Sequence, residues 1–287
     1  MLYLIFSILS STSIFIIFKL IGKLRINTFN VIVINYIIAS AVGFILYGSG
    51  LSIERIISAP WMVPAVIIGI VFIITFYTIG ISSQKAGITI TTVAAKMSVV
   101  FPILFSIIYY SEELGFIKAT GIITALFAVI LSVIRKSNTQ ADKKYLILPF
   151  ILFIFLGIVD SIIKYSQEAY LTTGLSSLFT ATLFTVSGIT GILVAVANKR
   201  VIKGFSDIRI WYWGIILGIS NFGSVFFLIN ALNKNIYDSS IIFGINNIGI
   251  VALSVLAGLL FFRERLTIIN WSGICLAFIA IIMLMIS

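Results

Sequence analysis

The feature that most constrains this chain is a series of long apolar runs separated by short polar breaks. Ten runs lie near residues 2–21, 29–48, 60–82, 87–110, 114–134, 145–164, 175–197, 209–231, 238–262 and 266–286. A helix needs roughly 20 apolar residues to cross the hydrocarbon core of a bilayer. The runs are continuous rather than alternating, which favours helices over the strands of a membrane barrel. The sequence therefore predicts an all-α integral membrane protein with ten transmembrane helices.

Composition excludes a soluble globule and most catalytic chemistry. Charged residues are only 10% of the 287 residues, whereas a soluble domain carries about 25% to cover its surface. The chain has no His and one cysteine, Cys275, which removes imidazole bases, internal disulfides and thiolate zinc clusters. We therefore expect no enzyme, no metal and no cofactor. Loops beside anionic lipid head groups account for the net charge of +10 without a nucleic-acid partner.

The two halves of the chain resemble each other. The longest polar break, 135–144, is the expected linker between five runs in residues 1–134 and five in residues 145–287. The matched residues are Thr28 with Thr173, Gly43 with Gly188, Trp61 with Trp211, Glu112 with Glu264, Leu114 with Leu266, and Gly121 with Gly273. Their offsets grow stepwise from 145 through 150 to 152 residues. Because each half has an odd number of helices, we expect two five-helix inverted repeats, an arrangement that suits alternating access.

The distribution of Lys and Arg predicts the orientation. Loops that follow odd-numbered runs hold 14 of the 19 basic residues, and loops that follow even-numbered runs hold 4. The positive-inside rule then puts the first set in the cytoplasm and both termini outside. The first run lacks a basic flank and a cleavage site, so we expect a retained helix rather than a signal peptide. The chain is therefore expected to be a multi-pass protein of the cytoplasmic membrane.

Lys96 is the strongest candidate for a functional residue, because it lies ten residues into the fourth run. An ammonium near the bilayer centre costs at least ~2.5–3.5 kcal/mol, so it is expected to face a partner or a wet cavity. Thr89 and Thr92 share its helix face, which predicts a cavity lining. The alternative is that Lys96 only anchors neighbouring carbonyl groups. Pro102 predicts a kink one turn past Lys96.

Other polar residues at membrane depth are candidates for the same cavity. Asn246 and Asn247 lie in the second half at nearly the depth of Lys96. An ammonium with two carboxamides is suited to bind a zwitterion or an organic anion. The alternative is that the two asparagines only form interhelical hydrogen bonds. Asn221 and Tyr77 are further substrate-binding candidates. Asp160 is the acid that lies well inside an apolar run. It is a candidate for proton coupling, and the alternative is a local ion pair with Lys164 one turn later.

The ends of the two halves resemble a known family. The segment from Glu264 to Thr267, with Trp271 and Gly273 before a last apolar helix, resembles the signature of the EamA family in the drug/metabolite transporter superfamily. Glu112, Glu113 and Leu114 with Gly121 are similar to its first-half counterpart. The resemblance covers the whole chain in length, helix number and division into halves. In the family a glycine commonly precedes each glutamate, whereas this chain has Ser111 and Arg263 at those positions. The family is also drawn with both termini in the cytoplasm, opposite to the orientation that the Lys and Arg count predicts.

The resemblance implies a secondary active transporter, often an exporter, of amino acids, other small metabolites or drugs. It implies that helices three, four, eight and nine, with one and six, surround a central cavity, which would place Lys96, Asn246, Asn247, Asn221 and Tyr77 there. We expect export of amino acids or related compounds by alternating access. A multidrug, cation or other metabolite carrier is the alternative, and a channel or an intramembrane enzyme is less favoured. Fusion of both halves in one chain favours a functional monomer.

Overall fold

The computed structural model describes residues 2–48, 53–111, 113–134, 143–170, 175–233 and 239–286, and these ranges are helical apart from short connections. The α-helices are α1 (Leu2–Lys23), α2 (Thr28–Tyr47), α3 (Ile53–Ile57), α4 (Met62–Lys85), α5 (Ile88–Met97), α6 (Val100–Tyr109), α7 (Phe116–Val133), α8 (Ile147–Tyr170), α9 (Ser176–Ala197), α10 (Lys199–Gly204), α11 (Ile208–Asn233), α12 (Ser239–Leu260) and α13 (Ile268–Met285). A 3-10 turn at Lys143–Leu146 precedes α8.

Within the described ranges, ten helical spans are long and apolar enough to cross a membrane, and α5 with α6 forms the fourth of them. The prediction of an all-α protein with ten helices that could span a membrane is thereby confirmed. Helix α8 runs to Tyr170, six residues past the expected end of the sixth run. The short helices α3 and α10 lie in polar breaks where no element was expected. Most of the expected linker, 135–142, lies outside the described residues.

Helices α7 and α13, the last of each half, pack against each other and run antiparallel. A Cβ placed on Gly121, near the start of α7, would lie 2.9 Å from Cδ2 of Leu284 at the end of α13. A Cβ on Gly273, near the start of α13, would lie 2.5 Å from the backbone nitrogen of Ser132 at the end of α7. Glycine therefore permits the close approach at both ends. Asn270 fixes the contact further, because its side-chain amide donates to the carbonyl oxygen of Ser132 at 2.7 Å.

Helices α2 and α9 form a second antiparallel pair across the two halves. A Cβ on Gly43 would lie 2.9 Å from Cβ of Ala181, and one on Gly188 would lie 3.7 Å from Cβ of Tyr36. Between these contacts the hydroxyls of Ser40 and Thr185 share a hydrogen bond of 2.6 Å. The two halves therefore interlock along their length instead of folding as separate bodies.

Connections that follow odd-numbered spans lie on one face of the bundle, which we call the basic face. The contacts that join them are Lys19 Nζ to Gln84 O (3.3 Å), Asn270 Nδ2 to Ile134 O (2.9 Å) and Asn30 Nδ2 to Val201 O (2.7 Å). These contacts link α1 to α4, the start of α13 to the end of α7, and the start of α2 to α10. The pair of Lys19 Nζ and Glu264 Oε1 at 3.5 Å joins the two groups of connections. The described ends of the basic loops thus share a face, and Arg135 and Lys136 lie outside the described residues.

Candidate functional site

The fourth span is broken next to Lys96. Helix α5 ends at Met97 and α6 begins at Val100, which leaves Ser98 and Val99 between them. Pro102 has no N–H to donate to the carbonyl of Ser98, and Phe101 N donates to that carbonyl instead, at 2.9 Å. The tighter hydrogen bond turns the chain between the two helices. Breaks of this kind in membrane helices occur where the backbone is buried in protein or lines a cavity.

Lys96 lies just before this break, and its side chain is half-buried. Among the described residues its ammonium group makes no hydrogen bond and no direct ion pair. The charged group with which it interacts electrostatically is the carboxylate of Asp160, on the neighbouring helix α8. The structure therefore brings an ammonium and a carboxylate close enough to interact electrostatically, with no hydrogen bond or ion pair between them.

Ser98 connects the break to Asp160. Its hydroxyl lies 3.1 Å from Oδ2 of Asp160 and 2.7 Å from the carbonyl oxygen of Ala95, and it can donate to either oxygen. Asp160 makes no hydrogen bond and no ion pair with Lys164, although both residues are described. The expected local pair on α8 is therefore not formed. The carboxylate faces the broken helix instead of the next turn of its own helix.

Glycine and aromatic side chains hold the broken helix against α8. Gly157, one turn before Asp160, lies directly against the ring of Phe101, and an added Cβ would clash with that ring. The ring of Phe101 also packs edge-to-face on Phe153, with centroids 5.1 Å apart. These contacts fix α6 on α8, and they thereby fix the distance between Ser98 and Asp160.

Three further candidate residues have polar atoms without partners. Thr89, Thr92 and Asn246 are buried, and in each a side-chain oxygen has no hydrogen bond. Asn247 is half-buried. Buried polar atoms are normally hydrogen-bonded, so these three oxygens without partners are candidates for contacts that form with a ligand. Helix α12 packs against α5, so the asparagines lie on the helix next to the one that carries Lys96.

Two of the predicted cavity residues have partners on α2. Asn221 is buried and its side-chain amide lies 3.2 Å from that of Asn35, where it ties α11 to α2. Tyr77 is 43% exposed and packs edge-to-face on Phe29. It continues the exposed apolar stripe of α4 formed by Val63, Ile67, Ile70 and Ile74. This stripe has the helical period of a lipid-facing surface.

Sequence reasoning missed the structural role of Glu264. Its carboxylate accepts from the backbone N–H of Ile88 at 2.7 Å and of Thr89 at 3.2 Å, and Oε1 lies 3.5 Å from Nζ of Lys19. It therefore caps α5, whose own N-cap residue, Gly87, has no side chain to do so. The sequence signal for this role is Gly87 at the N-cap of α5. A helix start without a capping side chain leaves its first backbone amides to an acceptor from elsewhere in the chain.

Two glycines make room for that carboxylate. A Cβ on Gly87 would lie 2.8 Å from Oε1 of Glu264, and Gly87 has a φ of 110° that other residues rarely adopt. A Cβ on Gly258 would lie 2.7 Å from Oε2 of Glu264 and 2.7 Å from Oγ1 of Thr89. The end of α12 and the start of α5 therefore meet through a glycine-lined slot that holds one carboxylate.

A separate groove of about 330 Å³ opens between α1, α2 and α11. Its walls are mainly apolar, with hydroxyls from Ser10, Ser13 and Ser220. It contains none of the residues predicted to bind substrate. Its lining offers no charge to recognise a polar ligand, so the candidate site is defined by Lys96, Ser98 and Asp160.

Comparison with known proteins identifies relatives but no function. No family model matches the chain. An uncharacterized protein from Haemophilus influenzae is 26% identical over 286 residues, which span 97% of this chain and 95% of that protein. A solved crystal structure matches 98% of this chain and 94% of its own, with a TM-score of 0.61 and 15% sequence identity. At that identity the likeness shows a shared fold only.

Proposed function

We propose that this protein is a secondary active transporter that exports amino acids or related small metabolites by alternating access. The observation that carries the proposal is the half-buried ammonium of Lys96, which has no hydrogen bond to any described residue and interacts electrostatically with the carboxylate of Asp160. A charge at membrane depth is expensive unless function requires it. A purely structural bundle has no use for an ammonium that makes no hydrogen bond to the described part of the chain.

The proposed mechanism needs two halves that exchange roles across the membrane, as inverted repeats do. Reciprocal contacts support such repeats. Gly121 meets Leu284, and Gly273 meets Ser132. At the repeat offset of 152 residues, Gly273 is the counterpart of Gly121 and Leu284 is the counterpart of Ser132. Exchange of the two halves therefore turns the first contact into the second. Gly43 with Ala181 and Gly188 with Tyr36 are related in the same way at 145 residues. Contacts of this form are expected from a two-fold axis in the membrane plane.

The charges of the site favour a zwitterion as the substrate. Lys96 would hold the substrate carboxylate, and charge-assisted hydrogen bonds of this kind are short and strong. Asp160 would hold the substrate ammonium, because it is the carboxylate opposite Lys96. Asn246, Asn247, Thr89 and Thr92 would supply neutral hydrogen bonds from α12 and α5. An α-amino acid carries both charges at neighbouring positions and leaves the site neutral.

Export follows from competition at Asp160. A proton and a substrate ammonium cannot both occupy one carboxylate, since the protonated acid carries no charge to hold the ammonium. A proton that arrives from outside would release the substrate, and a substrate that arrives from the cytoplasm would release the proton. The inward proton gradient would thus drive substrate out. Asp160 is the coupling residue in this scheme and Lys96 is the binding residue.

We propose membership of the EamA family on the motif at the end of each half. The residues before the two glutamates, Ser111 and Arg263, have φ values of 56° and 51°. These left-handed conformations favour glycine, which is what the family commonly has there. The backbone requirement therefore agrees with the family pattern even though the residues differ. In this proposal the basic face is cytoplasmic and the protein lies in the cytoplasmic membrane, where it works as a monomer.

A carrier of organic cations is the second candidate. Five aromatic rings meet where α6 and α8 end, and they belong to Phe105, Tyr109, Tyr110, Tyr165 and Tyr170. Aromatic faces attract cations, and Asp160 lies about one turn from Tyr165 on α8. In this alternative the Asp160 carboxylate binds the organic cation, and Lys96 neutralises Asp160 only when no cation is bound.

Counterflow in proteoliposomes tests the proposal and separates the two candidates. Vesicles loaded with a mixture of unlabelled amino acids would be diluted into a labelled amino acid, and parallel vesicles would carry tetraphenylphosphonium as the organic cation. We expect exchange of amino acids that is saturable and absent from empty vesicles. Exchange of the cation alone would replace the amino-acid proposal by the second candidate. Rapid ion conductance without counterflow would contradict both and indicate a channel.

A further inference from the structure

We propose that Glu264 is the latch that holds the basic face closed, and that it positions the helix carrying Lys96. The inference rests on the proposed alternating-access function, because a latch matters only if the face opens. Its carboxylate is 9% exposed and joins three helices: it is attached at the end of α12, caps the first turn of α5 and pairs with Lys19 of α1.

The contacts around the latch extend it to a fourth helix. Nζ of Lys19 also donates to the carbonyl oxygen of Gln84 at 3.3 Å, at the end of α4. The side chain of Gln84 in turn donates to the carbonyl oxygen of Phe18 and the hydroxyl of Thr28. One turn along α1, Nζ of Lys23 lies 4.7 Å from the ring centre of Phe262, next to the latch. The basic-face ends of α1, α4, α5 and α12 are therefore tied together by side chains.

The geometry connects this closure to the substrate site. Helix α5 begins at the Glu264 carboxylate and carries Lys96 in its last turn, eight residues after Ile88. A helix of this length is a rigid rod, so a change at its start moves its end. If α12 withdraws from α5, the first amides of α5 lose their acceptor and Lys19 loses its contact with Glu264. Opening of the basic face and movement of Lys96 are thus one event.

Water can take over the contacts of the latch when they break, whereas it cannot take over a contact that is buried permanently. Lys19 and Glu264 lie at the polar end of the bundle, and Lys19 is 16% exposed. When the contact breaks, both charges and the two amides can be hydrated at this end. The same groups at the depth of Lys96 would have no such replacement. A contact of this kind can open and close during transport.

Cysteine labelling tests the latch without any substrate. The test protein carries Cys275→Ser, to remove the exposed native thiol, and Ser254→Cys, a buried position on α12 one turn before Gly258. Reconstituted protein would be treated with a membrane-impermeant maleimide at the basic face. We expect Glu264→Ala to raise the labelling rate about tenfold, which corresponds to ~1.4 kcal/mol in the opening equilibrium. Glu113→Ala removes an exposed carboxylate and is the matched control, for which we expect no change.

Two further variants separate capping from ion pairing. Lys19→Ala leaves the cap on α5 intact and is expected to give an intermediate rate in folded protein, so the test remains decisive if Glu264→Ala does not fold. The exchange Lys19→Glu with Glu264→Lys restores opposite charges but gives α5 a donor where it needs an acceptor. We therefore expect the exchanged protein to label fast.

Slow labelling of the exchanged protein would overturn the capping role. Labelling as slow in Glu264→Ala and Lys19→Ala as in the parent protein would overturn the latch altogether. Because labelling requires no transport, it can support or overturn the latch whether or not counterflow is observed. Absence of counterflow, by contrast, bears on the proposed function alone.

Discussion

Ser40 and Thr185 share a hydrogen bond of 2.6 Å between α2 and α9, and 145 residues separate them. The same offset relates Gly43 to Gly188 in the sequence. In the proposed inverted repeat the two hydroxyls are therefore counterparts that meet each other, which only residues on the two-fold axis can do. Exchange of the two halves in the proposed repeat maps this pair onto itself.

The axis predicts that a cross-link between α2 and α9 is compatible with transport. In a Cys275→Ser background, Ser40→Cys with Thr185→Cys is expected to form a disulfide and to keep its counterflow rate. The reason is that the pair has the same separation in both states related by the axis. Counterflow before and after oxidation measures the effect, with each single cysteine as the control. Loss of counterflow on oxidation and its recovery on reduction would contradict the proposed axis.

The slot for Glu264 predicts that Gly258→Ala destabilises the protein. The new Cβ would lie 2.7 Å from Oε2 of Glu264, so the carboxylate must leave the amides of Ile88 and Thr89. Each buried amide left without an acceptor costs about 1–3 kcal/mol. We expect a melting temperature several degrees lower, measured in detergent. Gly115→Ala is the control, because a Cβ there meets no atom within 4 Å, and an unchanged midpoint in Gly258→Ala would contradict the slot.

The two antiparallel contacts predict opposite effects for two glycines inside helices. Gly273→Ala brings a Cβ to 2.5 Å from the backbone of Ser132, and forcing α7 and α13 apart is expected to cost ~1–3 kcal/mol. At Gly188 the nearest atom would be 3.7 Å away, so Gly188→Ala is expected to stabilise α9 by up to ~1 kcal/mol. Thermal unfolding midpoints of the two variants check the signs. A fall in both would contradict the packing described here for α9.

Asp160→Asn is expected to separate exchange from proton coupling. The amide can still accept from a substrate ammonium, but it cannot release a proton. Counterflow, which needs no net proton movement, should persist with weaker binding, whereas uptake or efflux driven by a pH gradient should lose its dependence on the gradient. A retained proton dependence in Asp160→Asn would assign the coupling to another group. Lys164 is not paired with Asp160, so Lys164→Ala serves as a control on the same helix.

The sequence predicted the ten spans because each is a continuous apolar run, and a membrane leaves such a run few alternatives to a helix. It also singles out Lys96 and Asp160 as candidates, since each is a charge at membrane depth. It does not predict that the broken helix and α8 meet beside them, because Ser98 and Asp160, which form that contact, are 62 residues apart. The pair with Lys164 was the local alternative, and local spacing is all that one sequence displays.

Two further candidates show what one sequence does not display. The resemblance places Asn221 and Tyr77 at the cavity through the helices that carry them, and the helix alone does not tell which of its faces meets lipid or a neighbouring helix. Glu264 was recognised as part of a motif, but its partners at Ile88 and Lys19 are distant in sequence. Glu264 can cap α5 because Gly87 has no side chain to do so, and this lack of a cap is recognised only once the start of α5 is known.

The most direct test of the account is amino-acid counterflow with Lys96→Ala beside Lys203→Ala. Both variants remove one lysine charge, but Lys203 is exposed on the short helix α10, away from the site. Loss of a charge-assisted hydrogen bond of about 1.5–3 kcal/mol predicts substrate affinity about 10- to 100-fold weaker in Lys96→Ala. The account predicts this weakening with wild-type behaviour in Lys203→Ala. Equal affinity in folded Lys96→Ala and Lys203→Ala would contradict the assignment of the substrate site to Lys96.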